Sequence, residues 1–398
     1  MANEYSYNAV VTNEGGEPEE HVYRTREQDR RPRCTLVLGN GFTQDFLATY
    51  GLRNELPCCV SDLFPASQKT PYIAVERDCF TDHDRKFWDP RKWPLLFDAW
   101  SSTPGLSAES FLELLARERV NPDVKAGLWT FRTRTISFEL RCYLHHYFRA
   151  IWLGITRHRQ SENFDVLAWH WCWLLTSLLH HFRLACVTFN YDQLLEQVLY
   201  EISEVNQGIG RPSILEIVPA NRLNMQPADV TPIVKVHGGV GFSTGLHMEQ
   251  IRGYRPNPWL HDDIFERNAA SKTRSMHIRP DRFPTIPDIV PPGHQGDHIC
   301  NPDSRVRELS QAMVADADVV IVCGLGGGGA DEDEVQELLS ARSAASRSIC
   351  IGLRANGDTN KQVAQLLSAH PLTTNLFIDS TSEIKNVMPT LRDWFPLS

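Results

Sequence analysis

Thr188-Phe189-Asn190-Tyr191-Asp192 closes one apolar run of this chain, and Lys235-Val236-His237-Gly238 closes another. Each puts polar, reactive side chains at the point where a buried strand runs out. In open α/β sheets, ligands bind in the crevice beyond the carboxyl ends of the strands. An Asn, an Asp and a His delivered there mark a candidate site. Two plainer readings stand beside it. Asn190 or Asp192 has the chemistry of a helix N-cap, and a lone histidine is commonly a structural hydrogen-bonding group. As a neutral imidazole near pH 7, His237 has the chemistry of a general base.

Outward from these two stretches, strands and helices alternate. The pattern predicts strands over 34–38, 184–189, 233–236, 318–323, 348–351 and 374–378. Helices are expected through Phe46, Leu47 and Tyr50 up to Gly51, then over 193–203, 302–314, 333–341, 360–369 and 382–394. Alternation at this spacing predicts an α/β fold, a parallel sheet built from right-handed βαβ units and flanked by helices. Two stretches interrupt it. Residues 52–160 mix aromatics, prolines and charges with helical patterns at 107–119 and 126–160, and read as a helical insertion. Residues 239–300 are rich in Pro, Gly, His and Asp without clear periodicity, and read as a second irregular insertion, a module or lid. An apolar helix over 164–182 carries Trp169, Trp171 and Trp173, read as core or subunit interface. Residues 1–33 are polar and charged, and are expected to form a flexible or partly ordered arm.

The chain has 398 residues and a net charge of −9. That length implies one large domain with insertions or two domains. The acidic balance argues against a general nucleic-acid or membrane-surface binder. No run is long enough to span a membrane and no signal peptide is evident, so a cytoplasmic protein is expected. Ten cysteines are scattered without any C-x-x-C pair. They suit buried thiols in a reducing compartment, and no metal site is expected.

Two glycine motifs complete the pattern. Gly39-Asn40-Gly41-Phe42 follows the first strand, where glycines let backbone amides approach a phosphate and the next helix offers its positive end. A plain βα turn fits the same spacing. Gly324-Leu325-Gly326-Gly327-Gly328-Gly329 follows the strand over 318–323, an amide-rich loop against which a diphosphate could lie. The acids after it, Asp331, Glu332 and Asp333, suit a helix N-terminus.

The succession G-N-G-F, T-F-N-Y-D, K-V-H-G and a glycine-rich loop before acids resembles the sirtuin-like domain family. More narrowly, it is similar to the bacterial sirtuin-like branch found in anti-phage defence. The resemblance spans about 34–380 and implies a Rossmann-like, NAD-binding domain over 34–398. It implies that Asn190 holds the nicotinamide-ribose region or an attacking water, that Asp192 contacts the carboxamide, and that His237 is the general base. Gly39, Asn40, Gly41 and Phe42 would cradle the pyrophosphate, Gly324 and Gly326 would approach phosphates and ribose, and Gly352 would face the adenosine side. Deacylating sirtuins carry two C-x-x-C zinc pairs and a Gly-Ile-Pro-Asp-Phe-Arg segment. This chain lacks the pairs and reads Tyr50-Gly51-Leu52-Arg53-Asn54 in the comparable place. The expectation is therefore an NAD hydrolase that releases nicotinamide and ADP-ribose, with NAD as substrate, acting in defence by NAD depletion. The alternatives are an NAD-dependent protein deacylase or ADP-ribosyltransferase, and a non-catalytic nucleotide-binding subunit of a defence complex. Control by homo-oligomerisation or by a partner such as a defence ATPase or an Argonaute-like protein goes with that branch, with no direct contact to nucleic acid or membrane.

Overall fold

The strand over 33–38 is buried on both faces from Cys34 onward and apolar there but for Thr35, the mark of a central strand in a parallel sheet. In the computed structural model, residues 31–54, 56, 63–64, 94–120, 164–206, 211–214, 230–245, 257–260, 285–291, 306–325, 332–352, 375–378 and 381–395 are described, with scattered residues in 136–159 and 363–368. Their strands are β1 (Arg33–Leu38), β2 (Arg183–Thr188), β3 (Arg211–Ile214), β4 (Val230–Lys235), β5 (Gly238–Gly245), β6 (Asn257–Leu260), β7 (Thr285–Ile289), β8 (Val319–Cys323), β9 (Arg347–Ile351) and β10 (Asn375–Ile378). The helices are α1 (Gly41–Thr49), α2 (Pro94–Ser101), α3 (Ala108–Val120), α4 (His170–His181), α5 (Leu194–Val205), α6 (Val306–Ala315), α7 (Glu332–Ser340) and α8 (Val387–Trp394).

Seven strands form one sheet in the order β10-β9-β8-β1-β2-β4-β3, every pair parallel. The fold is Rossmann-like α/β. The chain starts in the middle at β1, builds one half through β2, β4 and β3, then returns past β1 to build the other half from β8. The switch point therefore lies between β1 and β8. Successive strand residues face opposite sides, which splits the core in two. Leu36, Leu38 and Cys186 pack with Phe42 and Phe46 of α1, Leu174 and Leu178 of α4, Val198 of α5 and Leu391 of α8. Val37, Val187, Val234 and Val320 pack on the other face with Met313 and Val314 of α6 and Val335 and Leu338 of α7.

Several expectations change. Residues 239–300 are not without order: β5 follows directly on β4 and pairs antiparallel with β6 and β7 in a separate three-stranded sheet. Its strands contain glycines and prolines and pair across long separations, Gly238 with Ile289, so no alternation announces them. Helix α2 falls within the stretch read as a helical insertion, and edge strand β3 in one given no assignment. The expected helix over 164–182 is shorter, because Asp165 accepts from Leu167 N–H at 2.9 Å and caps a short 3-10 turn before α4. Of its tryptophans, Trp169 and Trp171 are core, while Trp173 is 51% exposed. Residues 1–30 and most of 121–160 lie outside the described residues. No helix among those described is long and apolar enough to cross a membrane.

Candidate active site

A single register row crosses the large sheet. Ile351 pairs with Cys323, Cys323 with Leu38, Leu38 with Thr188, and Thr188 with Lys235. Every motif singled out from the sequence begins within two residues beyond that row. Gly352, Gly324 and Gly39 lie one step past it; Asn190 and His237 lie two steps past it on adjacent strands. The parallel ladder thus converts five sequence segments far apart in the chain into one rim.

At the switch point the two glycine turns pack on each other. Gly39 N–H donates to Cys323 O at 2.9 Å and Gly41 N–H to Gly324 O at 3.1 Å. Gly324 has φ +68, and a Cβ there would stand 2.7 Å from Phe42 N. A Cβ on Gly39 would press on Gly324 O and lie 2.8 Å from Leu325 Cα. Both positions therefore require glycine. The amides of Gly39, Gly41 and Phe42 all donate to protein carbonyls, Phe42 N–H to Gly39 O at 3.0 Å. What this corner offers an anion is the positive N-terminal end of α1. Phe42 itself is fully buried, with its ring 4.8 Å from Trp169 and 5.0 Å from Trp171. Asn40 precedes α1 and its side chain makes no capping bond to it. Gly352 is buried behind β9. Gly326 lies outside the described residues.

Beyond β2 a short polar chain is laid down. Thr43, buried in the first turn of α1, donates its hydroxyl proton to Asp192 Oδ2 at 2.8 Å. Its oxygen then has only lone pairs left for Asn190, whose Nδ2 donates to it at 3.2 Å. That fixes the amide: Nδ2 faces Thr43 and Oδ1 faces away. Asn190 is 6% exposed, and its Oδ1 finds no hydrogen-bond donor among the described residues. A buried amide oxygen without a donor is costly, and here it is aimed by its own second half. Asp192 is fully used. Its Oδ1 accepts from Leu194 N–H at 2.9 Å at the start of α5, and its Oδ2 from Thr43.

Below this chain lies a buried ion pair. Lys235 Nζ donates to Glu196 Oε1 at 2.6 Å and to the Asp192 carbonyl at 2.5 Å, with both side chains 1% exposed. Burial pushes the Glu196 carboxyl pKa up, and Lys235 pulls it back only in part. Gly239 is needed beside this pair, since a Cβ there would stand 2.6 Å from Lys235 Cε and 2.9 Å from Tyr191 O. The close approach expected of the glycines after His237 is thus made by the chain itself.

His237 ends the β4 segment, 2% exposed. Its Nε2 lies 2.8 Å from Glu334 Oε2 of α7, and its Nδ1 lies 3.5 Å from Tyr191 Oη. Tyr191 donates its proton to Val290 O at 2.7 Å and stacks on Phe148 of the helical insertion, 4.7 Å between centroids. Gly238, at φ +68, turns the chain at once into β5. Sequence reasoning missed Thr43, Tyr191, Glu196 and Glu334. Each is an ordinary helix or turn residue in sequence, and only the fold brings it to the rim. Among the described residues no group of three or more His, Cys, Asp or Glu side chains is placed to hold a metal ion.

No protein-family model matches the chain, and no curated protein matches it. Among solved structures, the chain is similar to a Sir2 homologue carrying three substitutions, in complex with 2'-O-acetyl ADP ribose. Identity is 12%, covering 92% of this chain and 95% of that chain, with a TM-score of 0.39. A Sir2 structure with a p53 peptide and NAD+ is similar at 10% identity, covering 92% and 95%, with a TM-score of 0.29. The side chains along the rim, rather than these likenesses, carry the chemistry that follows.

Proposed function

We propose that this chain hydrolyses the bond between nicotinamide and ribose in NAD, releasing nicotinamide and ADP-ribose. The observation that carries the reading is the Asn190 amide. It is buried, locked through Thr43 to Asp192, and presents an unpartnered oxygen on the strand next to the one that delivers His237. Such an acceptor suits the hydrogen of an attacking water or a ribose hydroxyl. The residues fit NAD as substrate in one further respect: α1 points its positive end at the switch point, where the Gly39 and Gly324 turns close on each other. The motif order that resembles the sirtuin-like family adds to the same reading.

In hydrolysis the water oxygen bonds to the anomeric carbon, the electron pair of the broken C–N bond goes to nicotinamide, and one water proton goes to base. Asn190 holds and orients, and His237 takes the proton. Orientation in a site shut from bulk water is the larger contribution, with general-base help worth about 10²- to 10⁴-fold. Incubating the purified full-length protein with NAD+ and separating the products tests the reading. Free nicotinamide with free ADP-ribose is expected, falling at least 100-fold in Asn190→Ala with the circular dichroism unchanged. ADP-ribose attached to protein or to an acyl group would instead make the chain a transferase or deacylase. Nucleotide binding without any nicotinamide release would make it a non-catalytic subunit. Its place in defence, a homo-oligomeric state and a partner ATPase or Argonaute-like protein belong to this proposal as the setting in which such an activity is held silent.

A further inference from the structure

Glu334 belongs to none of the motifs that suggested a site. It stands in the first turn of α7, where an acid is sufficiently explained by the helix dipole. Yet its Oε2 lies 2.8 Å from His237 Nε2, with the two side chains 12% and 3% exposed. His237 is thus spanned across the sheet rim, with α7 on one side and the turn after β2 on the other.

The groups around the imidazole can be taken element by element. From α7 comes Glu334. From the turn after β2 come Tyr191, 3.5 Å from Nδ1, and Phe189, whose ring meets the imidazole edge to face at 5.4 Å. On its own segment, Lys235 turns its Nζ away to Glu196 and the Asp192 carbonyl. From the helical insertion, Arg141 donates to Ile289 O at the end of β7 at 2.8 Å, beside the Val290 carbonyl that takes the Tyr191 proton. Glu334 is the carboxylate that meets the ring at hydrogen-bond distance.

The contact at Nε2 bears on the charge state. Tyr191 gives its proton to Val290 and so turns a lone pair to Nδ1. Glu334 turns a lone pair to Nε2. A carboxylate at contact distance in a dry setting favours the imidazolium. We propose that Glu334 is a positioning residue that holds His237 at the rim and keeps it protonated at rest. His237 acts as base only once it has lost that proton, so the carboxylate sets where on the pH scale the base form appears. The consequence for rate rests on the proposed NAD hydrolysis; the ion pair itself does not.

The test is an NMR titration of the full-length protein with ¹³C-labelled histidine rings and no added ligand, the His237 signal being assigned by its loss in His237→Gln. In Glu334→Gln the titration midpoint of His237 is expected at lower pH than in the unsubstituted protein. Glu337→Gln, which removes a neighbouring carboxylate engaged with Arg307 and Gln311, is expected to leave it in place. Glu334→Ala serves as a second variant should the glutamine form fold poorly. Nicotinamide release is followed across the same pH range, where the acidic limb of the rate profile should move to lower pH along with the midpoint. Equal midpoints in Glu334→Gln, Glu334→Ala and the unsubstituted protein overturn the proposal even if NAD is cleaved normally. A moved midpoint without NAD cleavage in any form upholds the pair and overturns the hydrolase reading instead.

Discussion

Replacing Lys235 with methionine should destabilise the protein by about 4 kcal/mol at pH 7, and the structure says where that figure comes from. Methionine keeps the volume of the stem and removes the charge. Glu196 is left buried without its counter-charge, and Oε2 already lacks a donor among the described residues. Its escape is to take a proton. From pH 7 down to the ordinary carboxyl value of 4.5 is about 2.5 pH units. At about 1.36 kcal/mol for each, neutralising Glu196 caps that cost at about 3.4 kcal/mol. The Asp192 carbonyl, stripped of its Lys235 donor, adds about 1 kcal/mol. The total sits within the range of about 3–5 kcal/mol for breaking a buried ion pair.

The sign of the pH dependence follows from Glu196. Its folded pKa is raised above its unfolded value, with burial as the largest cause. The stability it contributes is therefore complete below about pH 4.5 and is lost as pH rises through the folded value. Removing Lys235 raises the folded value further. The deficit of the variant should accordingly shrink as pH falls from 7 to 5.5. Guanidinium unfolding of both proteins at the two pH values measures it. The double variant Lys235→Met with Glu196→Met, which leaves no stranded charge, should recover most of the loss. A deficit under about 1 kcal/mol at pH 7, or one that does not change with pH, refutes the reasoning.

Two further outcomes are expected. Thr43→Val keeps the shape of the side chain and removes both the donor to Asp192 and the acceptor for the Asn190 amide. A stability loss of about 1–3 kcal/mol is expected, with nicotinamide release down at least tenfold. A variant that folds and turns over like the parent would show that the amide is not aimed through Thr43. Gly51 and Gly324 share a left-handed backbone, at φ +72 and +68, but a Cβ meets nothing within 4 Å at Gly51 and the backbone of Gly41 and Phe42 at Gly324. Gly51→Ala should cost about 1–2 kcal/mol in thermal unfolding, from conformation alone. Gly324→Ala should cost clearly more, and equal costs would mean that the two glycine turns do not bear on each other.

What could be read from the sequence was whatever lies along doubly buried strands. The runs ending at Leu38, Thr188, Lys235, Cys323 and Ile351 are apolar on both faces, so each announced itself, and their alternation with helices implied a parallel sheet. The level at which they end was not legible. It is set by the pairing of Leu38 with both Thr188 and Cys323, a register that no local pattern encodes. Strands β5 to β7 were missed because a ladder of glycines and prolines closes over long separations and shows no period of two. Thr43 was invisible as one hydroxyl within a helical run, and Glu334 as one acid among several at a helix start.

Asp192 shows why the sequence alone left a cap and a site residue as rival readings. Read in isolation, an Asp before a helix satisfies a backbone amide, and that is what its Oδ1 does for Leu194. The carboxylate has a second oxygen, which the cap does not need. That oxygen takes the Thr43 proton, which decides what Thr43 can offer Asn190, which in turn decides which end of the amide is left without a partner among the described residues. The cap holds the carboxylate still, and a carboxylate held still is what orients the amide. Asp192→Asn would keep an acceptor for Leu194 while putting at risk the one for Thr43, because an amide has one oxygen where the carboxylate has two. The two roles are therefore one geometry, and losing orientation without losing the helix is the signature by which Asp192 would differ from an ordinary cap.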